Sequence, residues 1–182
     1  MKEKNIVFKK LNLKNALKTT NAAFDIIDSE RERLSRWFWW MSSTITPNNR
    51  KFNKFMLLYL LATKRKQLSH KFNKSKLYDE QFLVFVDDKF GGMVGLDNID
   101  DIKKEAEIWY FVSQLNEGHG VASASIQYIE DYVLNNKNTE RLYAKIETKN
   151  TRSIGLVSRN GYTPEPQKNK YAAVIYSKQL QR

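Results

Sequence analysis

The chain has 182 residues, a formal net charge of +11 at pH 7 and a hydrophobic fraction of 41%. This length suits one core, so we expect a single domain over residues 1–182. The absence of cysteine excludes disulfides and thiolate metal sites, and with only His70 and His119 as imidazoles we expect no metal. No apolar run reaches membrane-spanning length, so we expect a cytoplasmic protein without membrane contact.

The first quarter of the chain is predicted to form a strand and a helix. The segment "IVFKKL" (Ile6–Leu11) has the composition of a strand. Either Asn12 or Asn15 is expected to cap the helix that follows through "ALKTTNAAFDIID". Three tryptophans and a phenylalanine then occupy Trp37–Trp40. Such a cluster indicates buried packing or the wall of a groove.

A second helix is predicted over residues 48–66, with Thr46 as its N-cap and Pro47 at its first position. The polar segment "LSHKFNKSK" after it is interpreted as a connection. Between Arg50 and Lys76 the chain has no Asp or Glu. Either this is a solvated helix face or it attracts a polyanion such as RNA. Its basic residues are Arg50, Lys51, Lys54, Lys64, Arg65, Lys66, Lys71, Lys74 and Lys76.

The second half of the chain changes to strand periodicity. Three strands are predicted first, the first two joined by the turn "DDK" as a hairpin, and a helix over about His119–Asn135 follows. A strand and a short helix closed by Asn160-Gly161 come next. A final strand completes the order, with or without one more short strand after Gly161. We therefore expect an α+β fold, an α/β mixed sheet with helices on both faces. The strands are Gln81–Val86, Phe90–Ile99, Ala106–Ser113, Arg141–Thr148 and Tyr171–Leu180.

Two glycines, Gly118 and Gly120, stand where the third of these strands turns into the helix. One interpretation is a plain turn. The other is an anion cradle, because a helix start exposes unpaired N–H groups at the positive end of the helix dipole and glycine lets oxygens approach the backbone. The turn lacks the Gly-Lys-Ser/Thr of a P-loop and the third glycine of a dinucleotide fingerprint.

The segments "AEIWYFVSQLNEGHGVASASIQYIEDYV" and "RLYAKIETKNTRSIGLVSRNGYTPE" resemble the GNAT acyltransferase superfamily, in particular the ribosomal-protein N-terminal acetyltransferases of the RimJ/RimL type. The tryptophan segment and the central hairpin also occupy the family positions, so the resemblance covers nearly the whole chain. Leu115 replaces the usual Gln or Arg, and Trp109 replaces a usual glycine. The motifs that carry the resemblance are Glu107-Ile108-Trp109-Tyr110, Gly118-His119-Gly120, Asn150-Thr151-Arg152-Ser153 and Asn160-Gly161-Tyr162.

The resemblance implies acetyl-CoA as cofactor and a central, mostly antiparallel sheet that is splayed in the middle. The strand around Ile108–Val112 would part from Arg141–Thr148, and the pantetheine arm would bond to the backbone there. Asn150 would reach the pantetheine or the thioester, or it caps the following helix. The residues that the resemblance assigns to the cofactor are Phe111, Val112, Asn116, Glu117, Gly118, His119, Gly120, Val121 and Asn150.

The implied reaction is attack of an amine on a thioester, helped mainly by positioning and by a modest base. Glu107 is the candidate base, unless strand alternation directs it outward. Ser153 is the candidate proton donor to the departing thiolate, unless it is only a first-turn helix residue. His119 is interpreted as the variable residue of the turn.

The resemblance favours an N-acetyltransferase acting on the α-amino group of a protein N-terminus, most readily a ribosomal protein. The alternatives are an acetyltransferase of a small amine or antibiotic, and a non-enzymatic basic RNA-binding module. The basic segment Arg50–Lys76 suggests contact with the ribosome or RNA. The sequence leaves the acceptor open, and it leaves open whether the protein is a monomer or a homodimer.

Overall fold

The computed structural model describes residues 4–166 and 173–181. Within them, seven strands form one sheet and five helices lie against it. The strands are β1 (Ile6–Lys10), β2 (Tyr78–Val86), β3 (Lys89–Asp100), β4 (Glu105–Val112), β5 (Arg141–Glu147), β6 (Thr163–Pro164) and β7 (Ala173–Gln179). The helices are α1 (Leu13–Ser29), α2 (Arg31–Leu34), α3 (Asn49–Phe72), α4 (Val121–Asn136) and α5 (Thr151–Arg159).

The strand order in the sheet is β1-β2-β3-β4-β5-β7-β6. Every neighbouring pair is antiparallel except β4 and β5, which are parallel. The predicted mixed, mostly antiparallel sheet with helices on both faces is therefore confirmed. The predicted order of elements is found except for the four-residue helix α2, which was not predicted, and a short strand follows Gly161. The part of the last predicted strand at residues 171 and 172 lies outside the described residues.

Helix α1 begins at a reciprocal cap that uses both predicted asparagines. The Asn15 backbone N–H donates to Asn12 Oδ1 at 3.0 Å, and the Asn12 backbone N–H donates to Asn15 Oδ1 at 2.8 Å. This capping box satisfies two backbone donors that the helix start would otherwise leave unpaired. Asn12 is the N-cap, and Asn15 closes the box from inside the helix.

The predicted start of α3 is wrong by two residues. Thr46 is fully buried, and its hydroxyl donates to Trp40 O at 3.0 Å rather than capping the helix. Asn48 is the N-cap, and its Oδ1 accepts from the Lys51 backbone N–H at 3.0 Å. Because the Thr46 hydroxyl donates to a carbonyl group of the preceding loop, it does not cap the helix, and Asn48 serves as the N-cap instead.

The predicted end of α3 is also wrong, because the helix continues to Phe72 through most of "LSHKFNKSK". His70 in this segment is buried and its ring lies against Tyr78, with ring centroids 4.2 Å apart. Its Nε2 lies 2.9 Å from Asp101 Oδ2. These long-range contacts hold a helical turn whose local composition is polar.

Two apolar cores lie on opposite faces of the sheet. One contains Ile108, Val112 and residues of α4 and α5 such as Ile129 and Val157. The other contains Met93, Phe111 and residues of α1 and α3. Because side chains alternate along a strand, even-numbered residues of β4 face α4 and α5, and odd-numbered residues face α1 and α3.

Candidate active site

The two central parallel strands separate after a short paired stretch. Their pairing covers only Glu105–Glu107 with Arg141–Tyr143, although β4 continues to Val112 and β5 to Glu147. Beyond Glu107 the two strands make no further pairs, so a gap opens in the middle of the sheet. The predicted splay between these strands is therefore present.

The register of β3 and β4 decides which backbone groups face this gap. The Ser113 N–H donates to Gly91 O at 2.8 Å, so alternation directs the backbone of odd-numbered residues in β4 toward β3. The backbone of Ile108, Tyr110 and Val112 turns toward the gap instead. The expectation that Phe111 offers backbone groups there is thus corrected, because Phe111 lies opposite Met93 on the β3 side.

The glycine turn has the geometry of an anion cradle. Gly118 and Gly120 have φ angles of +74° and +78°, which L side chains rarely adopt. An added Cβ at either glycine would meet nothing within 4 Å, so the space above the turn is open. Helix α4 begins at Val121 rather than at His119, and no side chain caps it. Among the described residues, the backbone N–H groups of residues 118 to 123 have no acceptor.

Charged side chains surround the cradle and pair with one another. Glu117 accepts from Arg33 Nη1 at 2.8 Å and from Arg152 Nη1 at 2.6 Å. Arg33 also donates from Nη2 to Val112 O at 3.0 Å. Asn116 donates to Ser113 Oγ and accepts from Lys4 Nζ, each at 2.9 Å. The carboxylate of Glu117 is thus neutralised by two guanidinium groups beside the turn.

The remaining residues of the turn point away from these contacts. His119 is exposed, and its Nδ1 lies 2.8 Å from Glu117 O. Leu115, at the position where the family pattern has Gln or Arg, is 85% exposed. Neither side chain is enclosed by the protein, so the cradle consists of backbone groups.

Glu107 lies at the point where the gap opens, on the face toward α1 and α3. Its Oε2 accepts from Lys145 Nζ of β5 at 2.7 Å and from Asn98 Nδ2 at 3.3 Å. The Lys145–Glu107 ion pair therefore spans the gap just beyond the last paired residues. Glu107 faces the protein interior only in part, and its side chain is 18% exposed.

An aromatic wall lies on this face beside Glu107. The rings of Trp40 and Phe55 are stacked with centroids 5.5 Å apart, and Phe55 is stacked on Tyr59 at 6.3 Å. Phe38 packs edge-on against Trp109 at 6.2 Å. The tryptophan cluster thus contributes to both predicted roles, since Phe38 and Trp40 are partly buried in the wall while Trp39 is 68% exposed.

Ser153 and Asn150 lie on the opposite face, toward α4 and α5. The Ser153 backbone N–H donates to Asn150 Oδ1 at 3.2 Å, so Asn150 is the N-cap of α5 and its Nδ2 donors remain available. The buried hydroxyl of Tyr110 has no partner of good hydrogen-bond geometry among the described residues. Burial raises the pKa of Tyr110 to about 12, and the nearby Ser153 hydroxyl counters part of the rise.

A separate cavity of about 760 Å³ lies at the far ends of α3 and α4 and contains none of the predicted site residues. Its buried polar groups pair with each other: His70 lies against Asp101, and Glu80 accepts from Lys137 at 2.8 Å.

In residues 4–166 and 173–181, no group of three or more acidic, histidine or cysteine side chains is placed to hold a metal ion. The same residues contain no helix with the length and apolarity needed to span a membrane.

A sequence model of the acetyltransferase (GNAT) domain matches residues 16–163 of this chain. The chain belongs to the GNAT acetyltransferase family. This membership confirms the predicted class, an acetyl-CoA-dependent acyltransferase, and it agrees with the splayed sheet and the glycine turn. It also leaves the non-enzymatic RNA-binding alternative without support.

The acetyltransferase is similar to two curated relatives. It is 26% identical to the ribosomal-protein-serine acetyltransferase of Escherichia coli over 88 residues, which are 48% of this chain and 49% of the relative. It is 35% identical to the uncharacterized N-acetyltransferase p20 of Bacillus licheniformis over 78 residues, or 43% and 44% of the two chains. The matched segments therefore span about half the length of either relative.

Solved structures share the fold over almost the whole chain. RimL, a ribosomal L7/L12 α-N-protein acetyltransferase solved with coenzyme A, has a TM-score of 0.74 at 18% identity and covers 96% of this chain and 94% of its own. Mycobacterium smegmatis RimJ has a TM-score of 0.73 at 14% identity, covering 96% and 81%. The microcin C7 self-immunity acetyltransferase MccE has a TM-score of 0.71 at 19% identity, covering 94% and 92%.

The structure brings the predicted residues together at the gap but on different sides of the sheet. Glu107 lies on the α1–α3 face, Ser153 on the α4–α5 face, and the turn at the end of β4. Sequence reasoning missed three residues beside them: Arg33, Tyr110 and Asp97. Alternation along β4 from Val112 would have directed attention to Tyr110, whereas nothing local to Arg33 or Asp97 marks them.

Proposed function

We propose that this acetyltransferase transfers the acetyl group of acetyl-CoA to the α-amino group of a protein N-terminus, with a ribosomal protein as the expected acceptor. The observation that carries the proposal is the gap between β4 and β5, which has Glu107 where it opens and the glycine turn beyond the end of β4. Similarity to ribosomal-protein acetyltransferases supports the choice of acceptor.

The cofactor is expected to lie along the gap. The unpaired backbone N–H groups of residues 118–121 would hold the diphosphate, and the two cationic neighbours Arg33 and Arg152 would add charge. The expected contribution of the Asn116 and Glu117 N–H groups is corrected, because they donate to Ser113 O and Gln114 O within the turn. The backbone of Tyr110 and the N–H of Val112 would pair with the pantetheine in the manner of an added strand, while Val112 O accepts from Arg33. The Nδ2 of Asn150 would donate to a pantetheine carbonyl while its Oδ1 continues to cap α5. The cofactor supplies the thioester that the amine attacks.

The chain's own residues then divide the proton transfers between the two faces of the sheet. The amine arrives from the α1–α3 face, where carboxylates accept a proton. On the other face, Ser153 stands near the Tyr110 hydroxyl, and either group would protonate the departing thiolate. The aromatic wall excludes water and orients the acceptor, which supplies much of the rate enhancement through positioning.

Helix α3 favours a macromolecular acceptor over a small amine. Its basic residues lie beside an exposed apolar stripe, which a protein partner would cover and a polyamine would not. A cationic surface would repel a small polycation and attract RNA or an acidic protein. The exposed apolar residues of the stripe are Leu57, Leu58, Leu61, Leu68 and Phe72.

The proposed function is tested by an acetyl-CoA screen that follows thiol release. The acceptors are unblocked N-terminal peptides of ribosomal proteins, the same peptides with a blocked N-terminus, and a panel of small amines and antibiotics. Acetylation confined to the unblocked peptides and their parent proteins supports the proposal. Turnover of small amines with no activity on any peptide contradicts it and favours the small-amine alternative.

Contact with the ribosome is expected to depend on the charges of α3. Replacing Lys64 and Arg65 with glutamine should weaken ribosome binding and flatten its dependence on salt concentration, because fewer counterions are released per contact. The matched control replaces the exposed Lys89 and Lys103, which removes the same charge elsewhere. Sedimentation with ribosomes at several salt concentrations measures both variants. Binding that ignores salt, or equal losses in the two variants, would count against this contact.

A further inference from the structure

One carboxylate oxygen of the central sheet has no hydrogen bond within the described part of the chain. Asp97 of β3 lies directly opposite Glu107 of β4, on the face toward α1 and α3. Its Oδ1 is buried without a hydrogen bond from any described residue. A buried carboxylate that accepts no hydrogen bond is costly, and its retention in a protein suggests a functional reason.

The neighbours of Asp97 do not neutralise it. Lys66 of α3 pairs with Asp79 at 2.5 Å, and Lys145 of β5 pairs with Glu107 at 2.7 Å. Both cations near Asp97 are therefore engaged by other carboxylates. Burial, followed by repulsion from Asp79, raises the pKa of Asp97 to about 6, while the Trp109 indole N–H partly opposes the rise without reaching hydrogen-bond geometry.

The aromatic wall leads to this carboxylate. Tyr59 ends the stacked row of Trp40 and Phe55, and burial, then the charge of Asp97, raises the pKa of its hydroxyl. Trp109 lies on the other side, with its indole over Gly95, where an added Cβ would come within 2.5 Å of the ring. Asp97 thus stands between two aromatic side chains at the inner end of the wall.

From this placement, and on the basis of the proposed function, we propose that Asp97 binds the acceptor's ammonium group and takes its proton. The amine nitrogen then attacks the thioester carbon, the C–N bond forms, the C–S bond breaks and the coenzyme leaves as a thiolate. Asp97 passes this first proton to solvent and takes the second proton from nitrogen as the amide forms. The thiolate receives its proton from Ser153 or Tyr110 on the opposite face, and solvent restores that group. Asp97 would be a catalytic residue, since it contacts the reacting amine.

Asp97 suits this task better than Glu107. The Oε2 of Glu107 already accepts hydrogen bonds from Lys145 and Asn98, so this oxygen is engaged within the protein. Asp97 Oδ1 accepts no hydrogen bond among the described residues, and a base is most efficient when its pKa lies near the working pH. A negative charge that is partly shielded from water also attracts an ammonium ion more strongly than one in bulk solvent.

The test compares Asp97→Asn with Glu107→Gln on a peptide that the wild-type protein acetylates. We expect Asp97→Asn to lower kcat/KM about 100-fold at pH 7. The loss should shrink toward pH 9, because a free amine, whose pKa is about 7.7–8.0, needs no base. For the wild-type protein, kcat/KM should fall at both ends of the pH profile. Below about pH 6 Asp97 becomes protonated. Above about pH 8 the peptide's ammonium group loses the proton that Asp97 binds. Glu107→Gln should retain this profile with less than a tenfold loss.

Binding provides a second readout that does not depend on turnover. By calorimetry, the peptide should bind the complex of Asp97→Asn with coenzyme A at least tenfold more weakly than the wild-type complex at pH 7. The Kd for acetyl-CoA should stay within twofold, which shows that the fold is intact. Asp88→Asn, an exposed turn residue of the same hairpin, is the matched control and should behave as wild type.

Two results would overturn the role of Asp97. In one, Asp97→Asn keeps the wild-type pH profile and peptide affinity while its fold is intact. In the other, Glu107→Gln abolishes the limb near pH 6 and Asp97→Asn does not. Either result leaves the proposed function standing, because the wild-type protein still acetylates the peptide. A wild-type protein inactive on every peptide would instead contradict the proposed function.

Discussion

Replacing Gly120 with alanine is expected to raise the Kd for coenzyme A at least tenfold. The residue has a φ angle of +78°, and its position at the start of α4 exposes N–H groups without acceptors among the described residues. Alanine in this region costs about 1 kcal/mol of strain, and relief of that strain would turn the amides away from the diphosphate. Isothermal titration with coenzyme A measures the change.

Two controls separate the cradle from general damage. Gly161→Ala carries similar strain at a φ angle of +86°, but its new Cβ would face Lys178 rather than the cradle, so coenzyme A should bind it normally. Acetyl-pantetheine, which lacks the diphosphate, should act as acetyl donor with the same kcat/KM for the wild-type protein and for Gly120→Ala. Equal losses with acetyl-CoA and acetyl-pantetheine would show that the turn does not hold the diphosphate.

Replacing Gly92 with alanine is expected to destabilise the fold by about 3 kcal/mol, the sum expected from backbone strain and overpacking. A Cβ on Gly92 would lie 2.2 Å from Phe111 O and 3.0 Å from Val112 Cα. Both atoms belong to the backbone of β4, which cannot move aside as the end of a side chain can. The midpoint and slope of urea unfolding measure the loss of stability.

Gly155→Ala is the matched control for this change. Gly155 lies within α5, and its added Cβ would approach only the flexible guanidinium of Arg159, at 3.2 Å. Alanine there should stabilise the protein by about 0.5–1 kcal/mol, as in other helix interiors. If Gly92→Ala unfolded at the same urea concentration as the wild-type protein, the close packing of β3 on β4 at the gap would be wrong.

Local signals in the sequence were sufficient for the order of elements apart from the short helix α2. The alternation in β2 to β5 and the helical spacing of α1, α4 and α5 each depend on residues only a few positions apart. The errors occurred where distant contacts decide. The Thr46 hydroxyl donates to a loop carbonyl and does not cap α3. Helix α3 continues through His70 because Tyr78 and Asp101 contact that residue.

The candidate site divides in the same way. By itself, the sequence determined the glycine turn and the family. Glycine at 118 and 120 permits the positive φ angles of the turn, and the motifs of the family each lie within one short segment. Only the tertiary structure decided that Phe111 turns its backbone away from the gap, and that Asp97 remains unpaired while Lys66 and Lys145 serve other carboxylates. Strand register and charge pairing join residues far apart in the chain, so no local pattern carries them.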